Sequence, residues 1–110
     1  KIRKALERET EAMGGSYEMD NKLTITPVKL SEEMLQIMED DCKEKGYSYK
    51  RLASGAGHDS LEIGQVIPTV MLFVPSKDGR SHCPVEYTSY DEFAKASVIM
   101  TNLAQKLVEK

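Results

Sequence analysis

The sequence predicts an α/β fold with a mostly parallel sheet. Two amphipathic helices with capping residues are predicted over residues 31–46 and 89–107, and a nearly continuous apolar run, Val66–Val74, lies between them. Such a run is typical of a strand that is buried on both faces. Helices that alternate with short strands indicate a layered α/β arrangement.

An amphipathic helix is predicted to open the chain and to end at Gly14-Gly15. Its first turn is basic, although the helix dipole favours acidic residues there, and no capping residue precedes Ile2. We therefore expect this helix to begin upstream of residue 1 and the chain to be a piece of a longer protein. A poor but tolerated helix start is the alternative. The apolar stripe consists of Ile2, Ala5, Leu6, Ala12 and Met13.

Residues 16–29 are predicted to be extended, with a turn at Asp20-Asn21 between two strand pieces. Ser31 is a capping residue for the second helix, which carries acidic residues in its first turn and is predicted to end at Gly46. One face of this helix is apolar and consists of Met34, Leu35, Met38 and Cys42.

The second half alternates strands and helices. A short strand is predicted over residues 47–52 and a short helix over residues 61–66, and a long loop, residues 75–88, follows the apolar strand. Ser89 and Glu92 have the spacing of a capping box at the start of the last helix. The apolar face of that helix consists of Phe93, Ala96, Met100, Leu103 and Leu107.

Composition limits the class of protein. The 110 residues are enough for one small domain, and the net charge of −3 argues against a nucleic-acid-binding surface. No apolar run approaches the roughly 20 residues that span a bilayer. Two cysteines are too few for a disulfide framework and favour a reducing compartment, so we expect a cytoplasmic protein.

Two loops contain both histidines of the chain. The first histidine loop, residues 54–59, consists of small residues followed by His58 and Asp59; the second histidine loop, residues 75–88, contains His82 and Cys83. Each loop follows a predicted strand, and ligands of open α/β sheets bind just beyond the carboxyl ends of strands. The glycines of these loops would let the backbone approach a ligand closely. We therefore expect the functional site in these loops.

Phosphate binding and serine hydrolysis are both weakly supported. Gly55-Ala56-Gly57 is too short for a dinucleotide-binding fingerprint, and no Gly-Lys-Ser/Thr of a P-loop follows it. The sequence contains no Gly-x-Ser-x-Gly nucleophile elbow. A Ser-His-Asp triad could still be assembled from Ser54 or Ser60, His58 or His82, and Asp59.

A metal site is a further possibility. Such a site needs three or four ligands, and the two histidines with Asp59 or Glu86 would supply some of them. From residue types alone, structural or solvated histidines are the plainer interpretation. Cys83 is either a ligand or a small packed residue, and packing is favoured.

Three segments with chemistry-bearing residues occur in a fixed order: Ser54–Asp59, Phe73–Ser76 and Gly79–Thr88. These segments, and the 24-residue spacing of the two histidines, resemble the N-carbamoyl-amino-acid hydrolase and allantoate amidohydrolase group of the dinuclear-metal aminoacylase–carboxypeptidase superfamily. The sequence departs from this group at Ala53, where proline is common. Residues 2–30 are similar only in pattern to the end of the group's lid, or dimerisation, domain.

The resemblance implies a fold and a division into domains. Residues 31–110 would be the C-terminal part of a metal-dependent catalytic domain, a partial three-layer sandwich of the zinc-peptidase type. Residues 1–30 would be the helix–strand end of a ferredoxin-like lid domain. Most metal ligands of the group, a His-x-Asp motif, an adjacent Glu-Glu pair and a further histidine, would then lie upstream. Glu32-Glu33 is not that pair, because it opens an amphipathic helix where the dipole explains it.

The resemblance also implies roles for individual residues. The full-length enzyme would bind two divalent cations, zinc or manganese, and this chain alone would hold none stably. His82 matches a metal ligand, with Glu86 holding its imidazole. His58 matches a donor to the oxyanion near the scissile amide, and Gly57 offers backbone contact to the substrate. Asp59 either orients His58 or caps the short helix that follows.

The expected function is that of the C-terminal part of a metal-dependent amidohydrolase that cleaves linear non-peptide C–N bonds. The substrate would be a small molecule, an N-carbamoyl amino acid, a ureido acid or allantoate, and neither nucleic acid nor a membrane is expected as a partner. The chain alone should be inactive, should need the missing N-terminal part and should form homo-oligomers, most simply dimers. A peptidase or aminoacylase of the same superfamily and a non-catalytic remnant or assembly domain are the alternatives.

Overall fold

The computed structural model describes residues 1–109, and helices are the regular elements of that range. The α-helices are α1 (Ile2–Ala12), α2 (Glu32–Glu44), α3 (Asp59–Ile63) and α4 (Tyr90–Val108), and a 3-10 helix spans Lys77–Gly79. No β-strand occurs in residues 1–109.

The helix ends follow the sequence signals. The Ser31 hydroxyl accepts the backbone N–H of Met34 at 3.3 Å, and the Ser89 hydroxyl accepts that of Glu92 at the same distance. Gly14 and Gly46 follow α1 and α2 in the left-handed region, with φ of 64° and 68°, which glycine adopts without steric cost. These observations confirm the predicted C-terminal ends of α1 and α2, and they confirm both serine caps.

The hydrophobic core lies between α2 and α4. Met38 and Cys42 of α2 are buried against Ile99 and Leu103 of α4. This core is small, and no side chain in the described range is less than 2% exposed. Around it pack partly buried apolar side chains, namely Met34, Ile37, Tyr47, Val70 and Leu107.

The predicted apolar face of α4 is wrong in part. Phe93 and Met100 are 51% and 42% exposed, whereas Ile99, which the prediction omitted, is 3% exposed. Ile99, Leu103 and Leu107 follow one another at four-residue spacing and form the stripe that meets α2. Since α2 is the helix that covers α4, the neighbouring stripe with Phe93 and Met100 is left open.

The predicted sheet is not formed by the described residues. Val66 and Ile67 are 83% and 56% exposed, so Val66–Val74 is not a strand buried on both faces. A strand exists only where a neighbour accepts and donates its backbone hydrogen bonds. The segment has an isolated link of this kind, from the Ser31 N–H to the Thr69 carbonyl at 2.9 Å. The segments 16–29 and 47–52 likewise form no strand.

The described residues form an elongated body. Its dimensions are 63 × 34 × 23 Å and its radius of gyration is 20.0 Å, whereas a compact chain of about 100 residues has a radius of about 13 Å. Many large apolar side chains, such as Leu23, Leu52 and Phe73, are exposed. The helices and extended segments therefore present apolar surface that nothing in residues 1–109 covers.

A buried carboxylate joins α2 to α4. Asp41 is 3% exposed and accepts hydrogen bonds from Lys45 Nζ at 2.6 Å and from Asn102 Nδ2 at 2.9 and 3.2 Å. Burial raises the pKa of this carboxyl, but the hydrogen bonds from Lys45 and Asn102 outweigh it, so the pKa lies below its usual range. Asp41 thus supplies a directional contact at the centre of an otherwise apolar helix pair.

Arg51 fastens the segment after α2 to the surface of that helix. Its guanidinium donates hydrogen bonds to the carboxylates of Glu32 and Glu39, which lie two turns apart on α2. The hydrogen bond from Arg51 lowers the pKa of the Glu39 carboxyl. The chain is thereby led from α2 toward the first histidine loop.

Replacing Asp41 tests the polar contact in the core. Asp41→Ala leaves Lys45 and Asn102 without their acceptor, and we expect it to lower the free energy of unfolding by about 1–3 kcal/mol. The measurement is urea denaturation followed by far-UV circular dichroism. Asp40→Ala is the matched control, because Asp40 is the adjacent carboxylate on the exposed side of α2 and its loss should change little.

The contribution of Asp41 to the free energy of unfolding should depend on pH. Because the folded-state pKa of Asp41 is lowered, its contribution is present above the unfolded-state pKa of about 4 and is lost as the pH falls through the folded-state value. The difference in stability between the wild-type chain and Asp41→Ala should therefore shrink below about pH 4. A difference that is independent of pH would show that the charge of Asp41 is irrelevant.

Candidate functional site

The first histidine loop holds His58 between a hydroxyl and an aromatic ring. His58 is the residue before α3, and its Nε2 lies 3.1 Å from Ser54 Oγ. The Phe73 ring meets the imidazole edge-on, with 5.6 Å between ring centroids and an interplanar angle of 66°. The Ser54 hydroxyl also accepts the backbone N–H of Ala56 at 3.3 Å, which closes the turn before His58. The imidazole is exposed, and two contacts define its position.

Gly57 and Asp59 flank His58 in different environments. A Cβ placed on Gly57 would meet no atom within 4 Å, so its backbone is open to an incoming molecule. Asp59 is in the first turn of α3, where the helix dipole favours a carboxylate. No hydrogen bond joins Asp59 to the imidazole of His58 in the described residues. His58 is the N-cap residue of α3, and no side-chain hydrogen bond caps that helix.

The second histidine loop is closed at its base. The Lys77 N–H donates to the Tyr87 carbonyl at 2.8 Å, and the Thr88 hydroxyl donates to the Pro75 carbonyl at 2.9 Å. Within the loop, the Ser76 hydroxyl donates to the carbonyl of Arg80. These bonds hold the two ends of the loop together, so the intervening residues form a defined projection.

His82 lies at a strained position in this projection. Its φ is 57°, a left-handed value that is uncommon for residues other than glycine. The Glu86 carboxylate accepts the backbone N–H of His82 at 2.8 Å, and the Glu86 N–H donates to the Cys83 carbonyl at 3.0 Å. Glu86 therefore contacts the backbone of His82, not its imidazole. The imidazole itself is exposed.

A wide cleft of about 1080 Å³ opens between the helix pair and the extended segments. Its lining includes Met38 and Ile99 from the helix pair, and Ser54, His58 and Phe73 from the segments outside that pair. The rings of His58 and Phe73 are in contact. Gly57, Asp59, His82 and Glu86 are not among the lining residues. The structure thus places one of the two histidines at the cleft and does not bring both histidines to it.

The described residues do not fit a complete metal centre. No group of three or more His, Cys, Asp or Glu side chains within residues 1–109 is arranged to hold an ion. Zinc in a protein needs three or four such ligands. His82 could supply one imidazole, and the remaining ligands of any metal would have to come from outside this part of the chain.

Two features of the site escaped the sequence prediction. The contact of Phe73 with His58 joins residues 15 positions apart, and local pattern does not reveal such a pairing. The left-handed backbone of His82 could not be predicted either, since histidine adopts positive φ far less often than glycine does. Ser54 and His58 lie four residues apart in one loop, so their proximity in the sequence was the available signal for their contact.

Comparison with known proteins identifies the family. The model of Peptidase family M20/M25/M40 matches residues 5–106, which include both histidine loops and all of α2. The chain belongs to this family. No solved structure shows significant similarity to the chain.

The curated relatives of the chain have the names of hydrolases. The chain is 33% identical to an N-carbamoyl-L-amino-acid amidohydrolase of Paenarthrobacter aurescens over 86% of its length, and 39% identical to an allantoate amidohydrolase of Bacillus subtilis (strain 168) over 81%. A ureidoglycolate hydrolase of Arabidopsis thaliana is 33% identical over 74% of the chain. The resemblance noted in the sequence is therefore confirmed.

The chain is much shorter than these relatives. It spans 23%, 22% and 17% of their respective lengths. In the described part of the chain, no helix combines the length and apolar character that crossing a bilayer requires.

Zinc titration of the 110-residue chain tests the absence of a complete metal centre. Because a single imidazole is not a stable site, we expect isothermal titration calorimetry to show no submicromolar binding and no difference between the wild-type chain and His82→Ala. Stoichiometric submicromolar binding that His82→Ala abolishes would reveal further ligands around His82 in solution.

Proposed function

We propose that the chain is the C-terminal part of a longer metal-dependent hydrolase that cleaves linear non-peptide C–N bonds. The proposed substrate class is an N-carbamoyl amino acid, a ureido acid or allantoate. The observation that supports it most directly is the identity of 33–39% to amidohydrolases of such compounds over more than four-fifths of the chain. The C-terminal position of the chain in that hydrolase is supported by the order of its motifs, residues 54–59, 73–76 and 79–88, which resembles the C-terminal part of such enzymes.

In the proposed longer hydrolase, the rest of the protein covers the apolar segments that are exposed in this chain. Residues 31–110 form part of a catalytic α/β sandwich, and residues 1–30 form the end of a lid domain. The exposure of Val66 and Ile67 and the elongated shape of the chain support this arrangement, because both leave apolar surface without cover. Strands from the remainder of the protein would pair with Val66–Val74.

His82 is proposed as one ligand of a divalent cation, zinc or manganese. Its exposed imidazole, on a loop that is closed at its base, is suited to contribute a ligand from one side of a site. Glu86 supports it by holding the backbone N–H of His82 and thus the left-handed turn. The other ligands lie outside these residues.

His58 is proposed as a hydrogen-bond donor to the oxyanion that develops on the scissile carbonyl. Its imidazole lies at the cleft, where a small substrate can reach it. The neighbouring Gly57 leaves room for the substrate beside the backbone. A preorganised donor of this kind stabilises the transition state more than the ground state.

Two alternatives have support of their own. The family model describes peptidases, so a peptide or acylated amino acid is the alternative substrate class. A non-catalytic role in assembly is the second alternative, because the described residues form no complete metal centre. Turnover of a panel with one N-carbamoyl amino acid, allantoate, an N-acetyl amino acid and a dipeptide by the complete protein separates these functions.

The two histidines should respond differently to substitution in the complete protein. His82→Ala should lower both the bound metal and the rate, because it removes a ligand. His58→Ala should leave the metal content nearly unchanged and reduce kcat by roughly 10²–10³-fold, the usual cost of losing one oxyanion donor. Metal analysis by mass spectrometry, beside steady-state kinetics, gives both quantities. Loss of metal in His58→Ala and retention in His82→Ala would reverse the assignment.

Gly57→Ala tests whether substrate lies against the first histidine loop. The added methyl group meets nothing within 4 Å and the backbone does not need positive φ, so the variant should fold normally. We expect a raised KM in the complete protein, because the methyl group occupies space that the substrate needs. Gly55→Ala is the matched control, since its Cβ is equally unobstructed. Equal kinetics of both variants and the wild type would place the substrate elsewhere.

A further inference from the structure

Two stretches of backbone border the wide cleft. Residues 47–54 line it without interruption, and so do residues 71–75. Successive side chains of an extended segment point to opposite sides. A cavity that is lined by every residue of such a segment therefore meets the backbone itself, with its N–H and C=O groups.

The backbone groups of both segments lack backbone partners. No backbone–backbone hydrogen bond joins residues 48–53 or residues 70–74 to another residue of the range 1–109. The two segments therefore do not pair with each other, although both line the same cleft. Each one presents a row of unpaired donors and acceptors, and such a row is a template on which another strand can pair.

The two segments run in the same direction along the cleft. Near their starts, Tyr47 and Val70 both pack against the hydrophobic core of α2 and α4. Near their ends, Ser54 and Phe73 both contact the imidazole of His58. Two neighbours in a sheet with this arrangement would be hydrogen-bonded to each other, and these segments are not.

The helix pair contributes an apolar surface to the same cleft, which consists of Leu35, Met38, Ala96 and Ile99. The occupant of the cleft must offer apolar groups to this surface and hydrogen-bonding groups to two rows of backbone. An α-helix does not fit, because its backbone hydrogen bonds are internal. A small substrate is too short for a segment of five residues, which extends over about 17 Å. A β-strand meets both requirements, since its two edges carry N–H and C=O groups and its side chains alternate between two faces.

We propose that the cleft holds one β-strand from the part of the longer hydrolase that lies outside these 110 residues. This strand pairs with residues 48–53 along one edge and with residues 70–74 along the other, and its apolar face packs on the helix pair. The substrate then reaches His58 at the end of the cleft, beyond the last residues of both segments. The inference rests on the longer protein proposed above, and it adds which segments flank the inserted strand.

The remainder of the same polypeptide is favoured over a second copy as the source of the strand. The chain spans 23% and 22% of the lengths of two curated relatives, so a protein of their length has most of its residues outside this chain. A segment of the same polypeptide is present at a high effective concentration, whereas a second copy has to be recruited from solution.

Cross-linking in the complete protein measures the separation of the two segments. Tyr49→Cys and Leu72→Cys are combined in a background whose native cysteines are alanine. Two strands that flank a third are roughly 10 Å apart, twice the spacing of neighbours, whereas a disulfide requires Cα atoms within about 7 Å of each other. We expect oxidation to give no disulfide between these positions, and a bis-maleimide with a reach of about 10 Å to join them within one subunit.

A control pair shows that oxidation is effective. The Ser31 N–H donates to the Thr69 carbonyl at 2.9 Å, so Ser31→Cys combined with Thr69→Cys should form a disulfide. A disulfide between positions 49 and 72 would show that the segments are direct neighbours and would overturn the proposal. A bis-maleimide link that forms only between subunits would also overturn it, because a second copy would then supply the strand.

Hydrogen exchange tests the same arrangement without any substitution. In the complete protein, the amides of residues 48–53 and of residues 70–74 should both be protected, because one strand bonds to both segments. In the 110-residue chain, both segments should exchange freely. Free exchange of either segment in the complete protein would leave one edge of the inserted strand unpaired and would overturn the proposal.

These measurements do not depend on catalysis. If the complete protein hydrolyses no member of the substrate panel while the bis-maleimide still joins positions 49 and 72, the proposed function fails and the inserted strand remains. If the complete protein hydrolyses N-carbamoyl amino acids or allantoate while positions 49 and 72 form a disulfide, the inserted strand fails alone.

Discussion

The contact between α2 and α4 holds the described residues together. Four buried side chains, Met38, Cys42, Ile99 and Leu103, form its apolar centre, and Asp41 adds hydrogen bonds that cross from one helix to the other. Apolar burial stabilises such a pair without fixing its register, whereas a buried carboxylate with two donors is satisfied in one arrangement. Two further segments are attached to this pair: Arg51 fastens residues 47–52 to α2, and Val70 packs at the edge of the core.

The same constraint explains why the candidate site is divided. The helix pair contributes Met38 and Ile99 to the cleft, and Phe73 and His58 also line it. The second histidine loop is organised by its own hydrogen bonds at residues 75–88 and does not line the cleft. In a complete α/β sandwich, paired strands would fix both loops at one edge of the sheet. Without that pairing, each loop keeps its internal geometry. Backbone hydrogen bonds then do not fix the position of one loop relative to the other.

Local features of the fold could be predicted from the sequence, and features that need distant partners could not. Ser31, Ser89, Gly14 and Gly46 act within a few residues of their own position, so their roles could be predicted from short motifs. The strand predicted at Val66–Val74 would require neighbours that residues 1–109 do not provide, and the apolar character of the segment alone could not reveal this. Ile99 was missed because α4 has two adjacent apolar stripes, and the position of α2 decides which one is buried.

The candidate site shows the same division between local and distant information. The two histidine motifs indicated the family correctly, because their residues and spacing are a property of the sequence itself. The contacts of His58 with Phe73 and of Glu86 with the His82 backbone are properties of the folded loops. Within residues 1–109, no three His, Cys, Asp or Glu side chains are arranged to hold an ion, so a metal centre that includes His82 would need ligands from another segment.

Backbone hydrogen exchange at residues 66–74 shows whether this chain is part of a larger α/β enzyme. Amide protection reports whether a segment is paired, since unpaired exposed amides exchange freely. Exchange followed by mass spectrometry should show little protection of this segment in the 110-residue chain and strong protection in the complete protein. Rapid exchange of residues 66–74 in the complete protein would show that this segment has no strand partners and would rule out its place in such a sheet.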